Sequence, residues 1–414
     1  MEKQLAKYEI MSPVGSYESL AAAIRAGANS VYFGIAGLNM RANSANNFTI
    51  DDLKRIAGIC AKHHIRSYLT VNTILYDGDL SLMRDIIRAA KEAGISAIIA
   101  SDIAAMSYAR SLDVEVHLST QLNITNIEAL KFYAQFADVV VLARELNLEQ
   151  VAAIHQQIEQ QGITGPHGEL IRIEMFCHGA LCMAVSGKCY LSLHEMDASA
   201  NRGACNQVCR RTYTVRDKES DIELDIENQY IMSPKDLKTI HFLNKILDAG
   251  VSVLKIEGRA RGAEYVKTVT ECYKEAVEAC CDGSFSEEKI ADWDSRLRRV
   301  FNRGFWNGYY LGQKLGEWNM HYGNQASERK LYVGKVIKYF SKLKVAECLL
   351  ETQSLSLGDT ILIIGPTTGA LSATADEIRV DLQPVAQAVR GDRFSIPVPE
   401  KVRPADKLYK MIKQ

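Results

Sequence analysis

Arg66-Ser67-Tyr68-Leu69-Thr70-Val71 and Ala97-Ile98-Ile99-Ala100 are short apolar and β-branched runs, and Leu80–Ala93 between them has helical spacing. Strand, helix, strand in that order is a parallel βαβ unit, because continuous apolar strands need cover on both faces. The same alternation extends in both directions. Strands are expected at Tyr8–Ser12, Ser30–Gly34, Val114–Leu118, Val139–Leu142, Ile171–Phe176 and Val253–Ile256. Helical patterns fill most gaps, among them Tyr17–Ala26, Ile50–His63 and Glu145–Gln160. Eight such strands predict an α/β fold, a TIM-like (β/α)8 barrel. An open doubly wound sheet is the alternative, but Ser12-Pro13-Val14-Gly15-Ser16 after the first strand lacks the GxGxxG fingerprint.

Residues 1–283 are expected to form the barrel, with a Cys-rich insertion at 177–251 between its last two strands. Residues 284–330 read as a helical, aromatic linker. From Leu331 the pattern changes to short strands separated by turns such as Gly365-Pro366-Thr367-Thr368-Gly369, a small C-terminal antiparallel β-barrel domain over 331–414. Lys and Arg exceed Asp and Glu there by 12 − 9. The net charge of the whole chain is −1, which excludes a uniformly cationic surface but leaves room for local basic patches. No apolar run is long enough for a membrane span. No leader-like segment is expected at Met1, so a cytoplasmic location without membrane partners is the default.

Five of the ten cysteines fall between Cys177 and Cys209. In a reducing compartment such clustering points to metal or redox chemistry rather than disulfides. The spacing Cys182-x6-Cys189-x15-Cys205-x3-Cys209 offers soft thiolates suited to iron–sulfur or zinc. Only the second pair is as tight as a zinc knuckle. An iron–sulfur cluster is therefore the first expectation, zinc the second, and buried or redox thiols the third. Cys177 is a spare candidate, or else a packed wall residue.

Active sites of such barrels lie at the C-terminal strand ends. Asn72, Ser101, Asp102, Gln121, Asn123, Asn126, Arg144, Glu257 and Arg259 all follow strands. Each alone is more simply a cap or loop residue; together they suggest a lined pocket. Arg144 and Arg259 suit bidentate capture of a small carboxylate, with structural ion pairs to Glu145 or Glu257 as the alternative. Asn72, Gln121 and Asn123 suit reading of an unstacked base. The stretch Arg296–Tyr310 interleaves arginines with aromatics. Arg299 and Arg303 are its candidate phosphate contacts, against plain packing of an amphipathic helix. His178 beside Cys177 permits a Cys–His hydrolase in principle. HExxH and GxSxG are both missing from the sequence.

The runs Glu174-Met175-Phe176-Cys177-His178-Gly179-Ala180-Leu181-Cys182, Ser186-Gly187-Lys188-Cys189 and Asn201-Arg202-Gly203-Ala204-Cys205-Asn206-Gln207-Val208-Cys209 resemble the signature of the collagenase-like U-thirty-two peptidase family. Ser119-Thr120-Gln121 and Lys255-Ile256-Glu257-Gly258-Arg259 extend the resemblance. It implies a [4Fe–4S] cluster on Cys182, Cys189, Cys205 and, least securely because the fourth ligand differs among branches, Cys209. It implies oxygen-independent hydroxylation, most like the branch that converts the wobble uridine of tRNA to 5-hydroxyuridine with prephenate as oxygen donor. His178, Arg144, Glu257 and Arg259 are then the expected catalytic residues. The tRNA anticodon arm, a small carboxylate co-substrate and a paralogous or accessory protein are the expected partners. Other branches act on a ribosomal RNA cytidine or a ubiquinone precursor, and the family name implies a peptidase.

Overall fold

The computed structural model describes residues 5, 7–42, 47–214, 232–314, 316–321 and 323–414. Eight parallel strands close into a barrel: β1 (Glu9–Pro13), β2 (Ser30–Phe33), β3 (Arg66–Val71), β4 (Ala97–Ala100), β5 (Glu115–Leu118), β6 (Val139–Val141), β7 (Arg172–Gly179) and, after the short β8 (Asp236–Lys238), β9 (Val251–Ile256). Each pairs with the next barrel strand, and β9 closes the ring by pairing with both β7 and β1. The expected TIM-like barrel is the observed one.

Period-2 alternation explains the closure. Met11, Tyr32, Tyr68, Ile99, Val139 and Val253 form a core inside the ring. Val31, Phe33, Ile98 and Ala100 point outward to the helices. The helix Leu80–Ala93 buries Met83, Ile86, Ile87 and Ala90, a stripe at helical spacing. It stops at Gly94, which is left-handed at φ 78, a conformation glycine adopts without strain.

Two expectations change. Strand β7 continues past Phe176 to Gly179, and β8 pairs antiparallel with its end, His178 opposite Lys238. Part of the expected insertion is thus barrel wall; its residues 215–231 lie outside the described residues. The segment 284–330, expected as a helical, aromatic linker, is helical in part and packs on the barrel. The helix Glu287–Arg299 buries Trp293 and Leu297, and Phe305–Trp306 extends the barrel sheet by pairing with β8.

The C-terminal region forms an eight-stranded antiparallel sheet and a two-stranded one. Both contribute to one core that includes Val336, Leu355, Ile363, Ala388 and Phe394. It docks on the barrel through Leu362 and Ala370 against Ala22 and Ala263. Gly369, at φ +71, approaches so closely that a Cβ there would lie 2.8 Å from the Ala22 amide nitrogen.

Candidate active site

A cavity of about 220 Å³ opens at the C-terminal ends of the barrel strands. Asn72 follows β3, Ser119 and Gln121 follow β5, Arg144 follows β6, and Lys255, Glu257 and Arg259 lie at the end of β9; all line it. So do Cys182, Cys189, Cys205 and Cys209, carried by the segment after β7.

Charge dominates this lining. Arg41, Arg144, Arg210, Lys255, Arg259, Arg261 and Arg303 face the cavity, with Glu257 the one carboxylate among the lining residues. Burial, with Arg41 adding to it and Tyr32 and Glu257 opposing, lowers the pKa of Arg259 to about 10. Arg261 and Arg210 are also held below their ordinary value, first by burial and then by Arg303. Burial pushes the Glu257 carboxyl up, but Arg41, Arg261, Arg144 and Arg259 outweigh it and keep the carboxyl below its usual range. Glu257 is therefore ionised at neutral pH. Cations crowded in a poorly hydrated space favour an anionic guest.

The alternative reading of Arg144 and Arg259, ion pairs with Glu145 or Glu257, is not what the described residues show. Arg144 donates from Nη1 to the Ala180 carbonyl at 3.2 Å and from Nη2 to Ser186 Oγ at 2.8 Å. Its guanidinium lies 4.6 Å from the Phe176 ring centroid. Arg259 donates from Nη1 to Thr70 Oγ1 at 2.9 Å. Gly34 leaves room for that guanidinium, since a Cβ at residue 34 would collide with Arg259 Nη1. Glu257 pairs instead with Arg41, 3.2 Å away. Asn72 Nδ2 donates to Ser119 Oγ at 3.1 Å and to Gln121 Oε1 at 3.2 Å, while Asn72 Oδ1 accepts from the Met40 amide. Asn72 thus holds Gln121 and the loop before Arg41 in place. Arg303 reaches the cavity with Asp236 3.6 Å away.

Several expected site residues lie elsewhere. His178 is wholly buried among Tyr265, Tyr273 and Phe305. Burial, then Lys238, drives its pKa down to about 3. It is a neutral core residue, because the extension of β7 turns it away from the cavity. Cys177 is buried with its Sγ 3.4 Å from the Lys255 carbonyl and is no ligand candidate. Asn123 is a left-handed turn residue at φ 53 and is not part of the lining. Asp102 and Asn126 cap helices, accepting from the Ala104 and Ala129 amides. Arg299 is exposed, with Glu328 4.0 Å away, and lies outside the lining. In the aromatic stretch packing prevails. Arg296 binds Glu275 at 2.6 Å, Trp306 donates to the Lys235 carbonyl, and Tyr310 donates to the Phe176 carbonyl at 2.8 Å.

Sequence reasoning missed Arg41, Arg210 and Arg261. Nothing local marks Arg41, and Arg261 lies in the turn after β9, where strand alternation no longer assigns a face.

Four thiols on one cavity wall are a soft donor set. Burial raises the Cys209 thiol pKa, Arg210 opposes this, and Cys182, Cys205 and Cys189 raise it further, so the four sulfurs sense one another. Among the described residues no three His, Cys, Asp or Glu are placed to hold a single metal ion. No histidine lines the cavity among the described residues.

Among the described residues no helix is long and apolar enough to cross a membrane. The family model described as Peptidase family U32 matches residues 15–320. A protein named collagenase from Porphyromonas gingivalis (strain ATCC BAA-308 / W83) is 67% identical over 407 residues, covering 98% of each chain. An uncharacterized protease from Methanocaldococcus jannaschii is 37% identical over 408 residues, covering 97% of each. The tRNA hydroxylation protein P1 of Bacillus subtilis (strain 168) is 30% identical over 380 residues, covering 90% of this chain and 87% of its own. With a cation-lined barrel mouth, a wall of four thiols and a family match over most of its length, this chain belongs to Peptidase family U32.

Proposed function

We propose that the protein is a tRNA-modifying enzyme that hydroxylates the wobble uridine to 5-hydroxyuridine, with a [4Fe–4S] cluster on Cys182, Cys189, Cys205 and Cys209. The observation that carries this reading is the composition of the cavity: seven cations, one carboxylate and four thiols, without a histidine among the described lining residues. Four cysteine thiols on one cavity wall are the ligand type and number that a [4Fe–4S] unit takes. Four thiolates would leave such a cluster coordinatively full, so when bound it supplies electron transfer at the cavity wall.

The protein's own residues do the rest. Arg144 and Arg259 each keep guanidinium donors free for a carboxylate such as that of prephenate, the expected oxygen donor. Ionised Glu257, held by Arg41, can accept a hydrogen bond from a substrate N–H or hydroxyl but has no proton to give at neutral pH. Gln121, oriented by Asn72 and Ser119, is placed to read the edge of an extruded base. Arg210, Arg261 and Arg303 suit the phosphates of an anticodon arm.

The peptidase reading draws on the name of the Porphyromonas gingivalis relative. The cavity supports it less, because the described residues that line it with Ser186 and the four thiols include no imidazole to act as base. Deleting the gene and measuring tRNA nucleosides by mass spectrometry tests the proposal. Loss of 5-hydroxyuridine and its derivatives is expected; unchanged levels in a strain lacking every paralogue would refute it.

A further inference from the structure

Beside the cation-lined cavity lies a second, smaller cleft with Trp306, Tyr309 and Trp318 in its wall. It shares Arg144, Cys182 and Ser186 with that cavity, so the two openings adjoin. Trp306 is buried and donates from Nε1 to the Lys235 carbonyl at 3.1 Å, which makes it a fixed floor. Tyr309 stands nearly perpendicular to it, with ring centroids 5.3 Å apart and 79° between the planes. Trp318 is placed by the antiparallel pairing of its backbone with Pro234. Packing accounts for Trp306, but Tyr309 and Trp318 are only half-buried.

Gly316 keeps this aromatic corner open. Its backbone is not left-handed, so no turn demands glycine there. A Cβ at residue 316 would lie 3.4 Å from the Tyr309 hydroxyl and 3.7 Å from Cη2 of both Trp306 and Trp318. Those are ordinary contacts, so an alanine fits without distortion and fills the space between the three rings. Two charged groups also line the cleft. The Arg144 guanidinium is committed to the Ala180 carbonyl and to Ser186 Oγ. Glu145 is exposed and has neither an ion pair nor a hydrogen bond among the described residues.

This lining selects among guests. A cationic side chain is repelled by Arg144 and by the other six cations of the adjoining cavity. A phosphate is repelled by Glu145. A flat, neutral heterocycle suits both charges and rings. Its face stacks on one ring, its positive edge meets the face of the perpendicular one, and a ring N–H or amino group donates to Glu145. We infer that the Trp306–Tyr309–Trp318 cleft stacks a nucleobase flanking the uridine held in the cavity. Stacking the neighbour outside the cavity leaves the target base unstacked on that side, which extrusion requires. The cleft stands on the geometry; the identity of its guest rests on the RNA substrate proposed above.

The test uses the full-length holoprotein and an anticodon stem-loop RNA. Trp318→Ala is expected to weaken stem-loop binding about tenfold and to raise KM with kcat unchanged, as loss of uniform binding does. Trp318→Phe should restore most of the affinity. Gly316→Ala keeps all three rings and is expected to weaken binding by filling the cleft. A stem-loop made abasic at one neighbour of the target uridine should bind wild type about tenfold more weakly, with no further loss against Trp318→Ala, because the same contact is then removed from either side. Wild-type affinity in folded Trp318→Ala and Gly316→Ala, or abasic and Trp318→Ala losses that add, would overturn the inference. If the wild-type enzyme hydroxylates no uridine, the functional reading fails, and quenching of tryptophan fluorescence by a ribonucleotide trimer decides the cleft alone. Quenching abolished by Gly316→Ala upholds it; no quenching, quenching that survives Gly316→Ala, or equal quenching by a lysine-rich peptide overturns it.

Discussion

His178 makes the stability of this protein depend on pH in a predictable window. In the folded chain burial holds its pKa at about 3, against an ordinary value of 6.5. The unfolded chain therefore takes up a proton near pH 6.5 that the folded chain refuses. Stability from this group is fully present above the ordinary value and is lost as pH falls toward the folded one. Each pH unit in that interval costs about 1.4 kcal/mol, so acidifying from about pH 6.5 to 5 removes about 2 kcal/mol. Against a typical domain stability of about 5–15 kcal/mol that is a large fraction. Replacing the imidazole by a group that never titrates removes the dependence. His178→Gln is expected to be less stable than wild type near neutral pH, because it loses the contacts with Tyr265, Tyr273 and Phe305. Its urea midpoint, followed by circular dichroism, should fall less steeply with acid than that of wild type, and the gap should narrow by about 2 kcal/mol at pH 5. Parallel loss of stability in the two proteins would show that His178 is not the buried neutral group described above.

Three other outcomes follow from the packing and the site. Lys255→Met strands the Glu174 carboxylate, which has no exposure, and should cost about 3–5 kcal/mol in urea unfolding, whereas Lys255→Met with Glu174→Leu should recover most of it. Gly369→Val forces a Cβ toward the backbone of the helix Tyr17–Arg25 at a positive φ; a loss of about 2 kcal/mol and faster proteolysis between barrel and C-terminal region are expected, and wild-type resistance would contradict the docking. If the proposed cluster is bound, Cys209→Ser purified without oxygen should contain far less iron than wild type, while Cys177→Ser should match wild type; equal iron in both would reassign the fourth ligand.

The barrel was legible because its physics is local. A strand covered on both faces must be apolar along its length, and the helix that covers it must repeat near 3.6, so runs such as Arg66–Val71 and Leu80–Ala93 declare themselves. The strands Val345–Leu350 and Arg393–Pro397 carry a different local signal, alternation, since every second residue is buried. The short pairs Ser354–Ser356 and Gln387–Val389 carry too few residues for a pattern.

The cysteine group could be read from the chain alone, since a thiol's chemistry and spacing travel with the sequence. So could the placement of Asn72, Gln121, Arg144, Glu257 and Arg259 at one end of the barrel, because strand direction assigns it. Tertiary structure alone decided which neighbours face the cavity and which face the core. His178 and Cys177 sit close in sequence to Cys182, yet β7 runs on and β8 covers them, and the low-polarity interior removes their charge chemistry. Arg41, some two hundred residues before Glu257, meets it only when the ring closes through β9 and β1. Electrostatic partnership depends on distance in space and on the local dielectric, and neither is written along the chain.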